Sequence, residues 1–173
     1  MVSVSLQTAY AQAIYSAELL LESLAKTNHT LKYSSLRIGT LVGGKGCLNE
    51  NDCLTSIAKS ALDGEPIHVA GSKQQQVAPC DTRDLVDALI VMLKTRPVRW
   101  KPVYDLCSDK RYELQDILTK TIETASKYNG GGQSKVYFEN KEIARPYSRD
   151  TATFCKEMKW KPKFRSCLSP TPT

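Results

Sequence analysis

Tyr10 and Ile14 stand one helical turn apart in the stretch TAYAQAIYSAELLLE, residues 8–22, and pose the chemical question of this chain. A phenol can pass a proton, but its ordinary pKa near 10 leaves only about one molecule in a thousand ionised at neutral pH. A lysine ammonium one turn along would favour the phenolate, because a nearby opposite charge is worth roughly 1–3 pKa units. Position 14 holds isoleucine, so Tyr10 is expected to be a poor base. Tyr15 is no substitute: it is one step from Ile14 and so on another face of the helix. With no lysine beside it, the plainer expectation for Tyr10 is an aromatic residue at a helix start that packs on a sheet.

Arginines form the second chemical group. A guanidinium grips a phosphate through two parallel hydrogen bonds, so it is a residue type suited to an anionic ligand. Arg145, beside Pro146, Arg149 and Arg37 could each serve in that way. Arg37 lies within an apolar run and is expected to pair internally. His29 and His68 each lack a neighbouring histidine, and no metal site is expected. The six cysteines (Cys47, Cys53, Cys80, Cys107, Cys155, Cys167) contain no CxxC pair, and the chain is expected to keep them as reduced, mostly buried thiols.

The elements that must position these groups follow from periodicity. Tyr10, Ala13, Ile14, Ala17, Leu20, Leu21 and Leu24 recur at three- and four-residue steps and predict an amphipathic helix over residues 9–26. LKYSSLRIGTLVG, residues 31–43, reads as a strand stopped by Gly43-Gly44. Leu54, Ile57, Ala58, Ala61 and Leu62 predict a helix over 53–63, ended by Gly64 ahead of Pro66. IHVAG is a short strand, and Asp81 or Thr82 can cap the helix that carries Leu85, Leu89, Met92 and Leu93. VYDLC, residues 103–107, is another strand, followed by a helix marked by Leu114, Ile117, Leu118, Ile122 and Ala125. Gly130-Gly-Gly132 is a turn leading into the strand KVYF, and a short helix around Phe154 and Met158 precedes WKPKF.

This alternation argues for an α/β or α+β fold. Residues 1–168 are taken as one unit and 169–173 as a disordered tail. A sheet made from residues 31–43, 67–70, 103–107 and 135–138 has few strands for so many apolar helix faces. Another chain, a second copy or a further half of the fold is therefore expected to cover the first helix.

At 173 residues the chain can bury a core without a staple. Its 24 Lys plus Arg against 18 Asp plus Glu give +6, spread over the surface and richer in the last third. Aromatics are not interleaved with the basic residues, so nucleic-acid binding is not expected. Residues 1–9 have neither a basic start nor an apolar run, and no stretch approaches the ~20 apolar residues of a membrane span. A cytoplasmic location is expected, with the sequon Asn28-His29-Thr30 accidental.

In order along the chain stand Tyr10 with Glu18; Leu36-Arg-Ile-Gly-Thr40 with Gly43-Gly44; Gly64-Glu-Pro-Ile67; Thr82-Arg-Asp-Leu-Val-Asp-Ala-Leu89; Tyr104-Asp-Leu106; Arg145-Pro146; and Trp160-Lys-Pro162. Together they resemble the C-terminal half of an extended short-chain dehydrogenase/reductase, the NAD-dependent epimerase/dehydratase family that acts on nucleotide sugars. The resemblance implies an incomplete Rossmann-like α/β fold with a small substrate-binding region. It makes Tyr10 the catalytic acid/base, with Ile14 where the family's lysine would be. It places Ile38 and Gly39 beside the cofactor, and Thr40, Val77, Arg145 and Arg149 at the substrate.

Departures accompany the likeness. The family's GxxGxxG turn, whose following helix N-terminus holds the cofactor pyrophosphate, is missing from this sequence. Gln74-Gln-Gln-Val-Ala-Pro79 stands where an arginine is usual, and Thr40 where asparagine is frequent. NAD or NADP is implied by the family but is not expected to bind this chain alone. The implied partners are a sugar nucleotide and either an N-terminal half or a second copy. A shortened, inactive enzyme half is the first expectation; a non-catalytic sugar-nucleotide-binding or interaction subunit is the alternative.

Overall fold

The computed structural model describes residues 9–43, 53–128, 130, 134–139 and 150–163. In chain order these form α1 (Ala9–Thr27), β1 (Ser35–Ile38), β2 (Leu41–Val42), α2 (Cys53–Asp63), β3 (Ile67–Ala70), β4 (Gln76–Val77), β5 (Cys80–Asp81), α3 (Thr82–Lys94), β6 (Val103–Leu106), β7 (Tyr112–Glu113), α4 (Leu114–Ser126), β8 (Val136–Glu139) and α5 (Ala152–Met158). The architecture is mixed α/β with short, mostly parallel ladders. It has the character of a partial Rossmann-like fold.

The four predicted strands do not make one sheet. β1 pairs with β6 and β3 with β8, both in parallel, as two separate ladders. Two smaller ladders join β2 to β5 in parallel and β4 to β7 antiparallel. Each long ladder is covered by its own helices, and two hydrophobic clusters result.

One cluster gathers Ile57 and Ala61 of α2, Ile67 and Val69 of β3, and Leu114, Leu118 and Ala125 of α4. The other gathers Ala88 and Met92 of α3, Tyr104 and Leu106 of β6, Phe154 and Met158 of α5, and Trp160. Burying such aliphatic and aromatic side chains contributes roughly 1.5–3 kcal/mol each, the main drive holding the helices to the ladders. Phe154 meets both Tyr104 and Trp160 edge-on, with ring centroids 5.2 and 5.5 Å apart.

The predicted strand over residues 31–43 is interrupted at Gly39 and Thr40, between β1 and β2. A side chain at Gly39 would meet the Ala78 carbonyl oxygen at 2.5 Å, so the backbones pass too closely there for any other residue. The Gly39 amide donates to Leu106 O at 2.7 Å, and the Cys80 amide to Thr40 O at 2.8 Å. The chain thereby shifts from the β6 ladder to the β5 ladder within two residues.

α1 is the exception to this packing. It is amphipathic as predicted, yet none of its residues is buried, and Ile14, Leu20 and Leu24 stand exposed.

Candidate functional site

Tyr10 sits in the first turn of α1, 77% exposed, with Ile14 on the same face at 49%. The expectation that Tyr10 packs on a sheet is therefore overturned: α1 presents this end to solvent, not to a ladder. No cation stands at the i+4 position to aid a phenolate.

Glu18, two turns further along α1, reaches the strand that carries the next candidates. Arg37 Nε donates to Glu18 Oε1 at 2.9 Å and its Nη2 donates to Oε2, a two-pronged pair with both side chains mostly shielded. The internal pairing expected for Arg37 is thus observed. Ladder register also sets Asp105 of β6 opposite Arg37.

Ile38 ends β1 half-buried, and Gly39 and Thr40 follow at the crossing point against Ala78–Cys80. Val77 lies just before that segment, paired with Tyr112 across the β4–β7 ladder and packed against the α2–β3–α4 cluster. The structure thus brings Ile38, Gly39 and Thr40 beside the segment that follows Val77, whereas the Tyr10 ring is exposed to solvent. Arg145 and Arg149 lie outside the described residues, as do Cys47, Cys167, Gly131 and Gly132.

Asp81 is the cap expected for α3. Its carboxylate accepts from the Arg83 amide at 2.9 Å and from the Arg83 guanidinium through both oxygens, also at 2.9 Å. The hydrogen bond from Arg83 holds its carboxyl below the ordinary range, against the opposing effect of burial. Asp84, buried, accepts from the Lys163 amide at 2.8 Å. A narrow cleft at this corner, lined by Cys80, Asp81, Asp84, Cys107 and Pro162, is too small for more than about one water molecule.

These carboxylates bear on the cofactor. A pyrophosphate wants a helix N-terminus with free amides and no nearby negative charge. α3 opens on Asp81 and Asp84, and α4 on Glu113 and Asp116. Neither start offers an anion cradle, so these helices do not fit the pyrophosphate of NAD.

Two features escaped the sequence reading. His68 and Tyr137 stack on the outer face of the β3–β8 ladder, centroids 5.2 Å apart and planes 19° from parallel, with both rings largely exposed. Alternation in IHVA and VYFE could have placed His68 and Tyr137 outward, but their adjacency needed the register His68↔Tyr137. The second is a groove of about 290 Å³ between α2 and α4, lined by Ala58, Leu62, Lys120, Thr121, Thr124, Ala125 and Tyr128. Among the described residues no group of three His, Cys, Asp or Glu side chains is gathered as metal ligands would be. No described helix is long and apolar enough to cross a membrane.

The decisive comparison is at the level of sequence: the family model described as "NAD dependent epimerase/dehydratase family" matches residues 2–106. The chain belongs to this family. Solved structures agree on the fold. UDP-glucose 4-epimerase of Thermotoga maritima, solved with UDP-glucose, superposes with a TM-score of 0.70 at 20% identity, covering 90% of this chain and 48% of that one. UDP-glucose 4-epimerase of Thermus thermophilus, solved with NAD, gives 0.73 at 17% identity, covering 91% and 50%. dTDP-glucose 4,6-dehydratase of Bacillus anthracis, also with NAD, gives 0.70 at 16%, covering 92% and 49%. At such identities the likeness establishes shared architecture. The chain spans about half the length of these family structures. No curated protein sequence matches it.

Proposed function

We propose that this chain supplies the substrate-facing half of an NAD(P)-dependent nucleotide-sugar epimerase, dehydratase or reductase unit and has no turnover by itself. The observation that carries this reading is the state of α1, in which Tyr10 and Ile14 are solvent-exposed, position 14 offers no cation, and no residue of the helix is fully buried. An amphipathic helix in that state suits a face completed by a complementary half bearing the glycine-rich turn, in the same polypeptide or in another. The acidic starts of α3 and α4 support the same division of labour, because the pyrophosphate is left to that other half.

When bound, the cofactor supplies hydride exchange at a sugar or hydroxyl carbon. Tyr10 is the group of this chain that would hold or pass the proton at the reacting oxygen, impaired by the isoleucine at position 14. Ile38 and Gly39 would border the nicotinamide, and Thr40 the sugar. Val77 forms a wall through its packing, and Arg145 with Arg149 would grip the diphosphate. The exposed His68–Tyr137 stack offers a flat aromatic surface suited to a nucleobase.

The absence of a lysine at position 14 also favours a second reading, a non-catalytic sugar-nucleotide-binding subunit. Calorimetric titration of the purified chain with NAD and with UDP-, GDP- and dTDP-sugars, alongside a sizing run, tests both. Sugar-nucleotide binding without NAD supports a retained substrate half. Tight stoichiometric NAD binding by the chain alone overturns the proposed division of labour. Turnover by the chain alone would overturn both readings.

A further inference from the structure

We infer that Arg37 is a positioning residue, the joint that sets the Tyr10 helix against the strand ending at Ile38–Gly39, and that it is not a phosphate ligand. The inference rests on the proposed role of Tyr10 and adds the means by which that residue is held in place.

The argument begins with what does not hold α1. Helices in this fold are fixed by buried apolar stripes, as α2 is by Ile57 and Ala61 and α3 by Ala88 and Met92. α1 buries no residue, and its apolar side chains Ile14, Leu20 and Leu24 are exposed. Its inner face, with Ala11, Tyr15 and Ala25, is only half-buried, so apolar packing within the described residues holds α1 less firmly than it holds α2 or α3.

The guanidinium of Arg37 supplies the missing constraint. Its Nε and Nη2 bond separately to the two oxygens of Glu18, from a strand position to a helix position 19 residues earlier in the chain. A planar fork on a planar carboxylate fixes distance and also relative orientation, which a point charge does not. The side chains are 19% and 13% exposed, so water competes weakly for either group. Arg37 is itself held in the β1–β6 ladder, where its register partner is Asp105. The link therefore runs from the ladder, through Arg37, to Glu18 and the body of α1.

The geometry gives this link leverage over the site. Tyr10 lies eight residues before Glu18, about 12 Å along the helix axis. A helix turned by about 20° about its axis carries a side chain at a radius of about 6 Å sideways by about 2 Å. Reacting atoms must meet at roughly 3–3.5 Å, and a misplacement of about 1 Å can cost on the order of a hundredfold in rate. An Arg37 committed to both oxygens of Glu18 also has less of its fork free for a ligand phosphate.

The test uses the full chain and two readouts that do not require turnover. Hydrogen exchange followed by mass spectrometry is compared for wild type, Glu18→Gln, Arg37→Lys and the reversed pair Glu18→Arg with Arg37→Glu. Peptides from α1 should exchange at least tenfold faster in both single variants, while peptides from α2, β3 and α4 stay unchanged as the internal control for folding. The reversed pair should restore protection. Arg37→Lys is the discriminating variant: it keeps the charge and loses the fork, so a purely electrostatic contribution to stability would leave α1 protected. The second readout is the fluorine NMR signal of 3-fluorotyrosine at position 10, assigned with Tyr10→Phe. It should shift in Arg37→Lys and return in the reversed pair. Unchanged α1 exchange and an unmoved Tyr10 signal in both single variants overturn the inference, as does a Glu18→Gln chain that gains sugar-nucleotide affinity through a freed Arg37. A chain that shows the α1 response but binds no sugar nucleotide keeps the joint and overturns the substrate reading instead.

Discussion

Trp160 donates its indole Nε1–H to Asp87 Oδ2 at 3.0 Å, and the same oxygen accepts from Lys163 Nζ at 2.9 Å. With the Lys163 amide bonded to Asp84, the segment after α5 is tied to α3 by both acidic residues of TRDLVDAL. Two stretches far apart in sequence are thus the two sides of one joint.

The hydrogen bond from Lys163, followed by that from Trp160, holds the Asp87 carboxyl below its ordinary range. A depressed carboxylate contributes above the unfolded pKa near 3.9, and its contribution is lost as pH falls through the lower folded value. In a Trp100→Phe background, Trp160 emission should stay constant from pH 7 to about pH 4 and shift to the red below it. Asp87→Asn should weaken that acid response; an unchanged response would assign it to another group.

At the cap of α3 the same sign applies. Asp81 is held low by Arg83 and should support stability above the ordinary carboxylate range, losing that support as pH falls below about 4. Asp81→Ala should cost about 1 kcal/mol at pH 7, and Asp81→Asn less, since asparagine also caps. Urea midpoints at pH 7 and pH 3 check both statements, and equal losses in the two variants would contradict the capping role.

Tyr104 is 2% exposed, donates to Glu157 Oε2 at 2.8 Å and accepts from the Lys101 amide at 3.0 Å. Tyr104→Phe keeps the ring against Phe154 and removes two hydrogen bonds to partners that solvent can reach, so it should lose about 0.5–1.5 kcal/mol. A loss within error of zero would show that water replaces the hydroxyl.

Two glycines should respond for different reasons. Gly39→Ala drives a methyl group into the Ala78 carbonyl and should cost about 2–3 kcal/mol through a backbone shift. Gly64 has φ +70° with nothing within 4 Å of an added Cβ, so Gly64→Ala should cost only the left-handed strain, about 1 kcal/mol. Chemical denaturation of the two variants side by side gives the order, and a reversal would disprove the crowding argument at Gly39.

Position 20 tests the open face of α1. Leu20→Lys should leave the unfolding free energy of the chain unchanged within about 0.5 kcal/mol and reduce any self-association. Leu118→Ala, in the α2–β3–α4 cluster, should cost about 2–5 kcal/mol. A large loss from Leu20→Lys would mean that α1 is packed in solution.

Much of the fold was legible because its longer elements carry a clear period. The helix predicted over 53–63 and the strand over 67–70 match α2 and β3, the helix over 9–26 matches α1 to within one residue, and Asp81 is the cap. β4, β5 and β7 have two residues each, too few to show alternation, and they exist through their partners. The break at Gly39 follows from a close approach to Ala78 that nothing local announces. At the site, the internal pairing of Arg37 followed from a charge set in an apolar run, but its partner Glu18 did not. The shortage of strands pointed to a first helix that this chain leaves uncovered, whereas the packing of Tyr10 on a sheet did not follow, because an amphipathic period shows which face is apolar and not what it packs against.

The two hydrophobic clusters are interleaved along the chain. Leu36 packs with the second cluster, α2 and β3 belong to the first, α3 and β6 to the second, α4 and β8 to the first, and α5 with Trp160 to the second. No single cut of the polypeptide can therefore separate one cluster from the other, and a nick anywhere between α2 and β8 leaves both incomplete until the fragments reassociate.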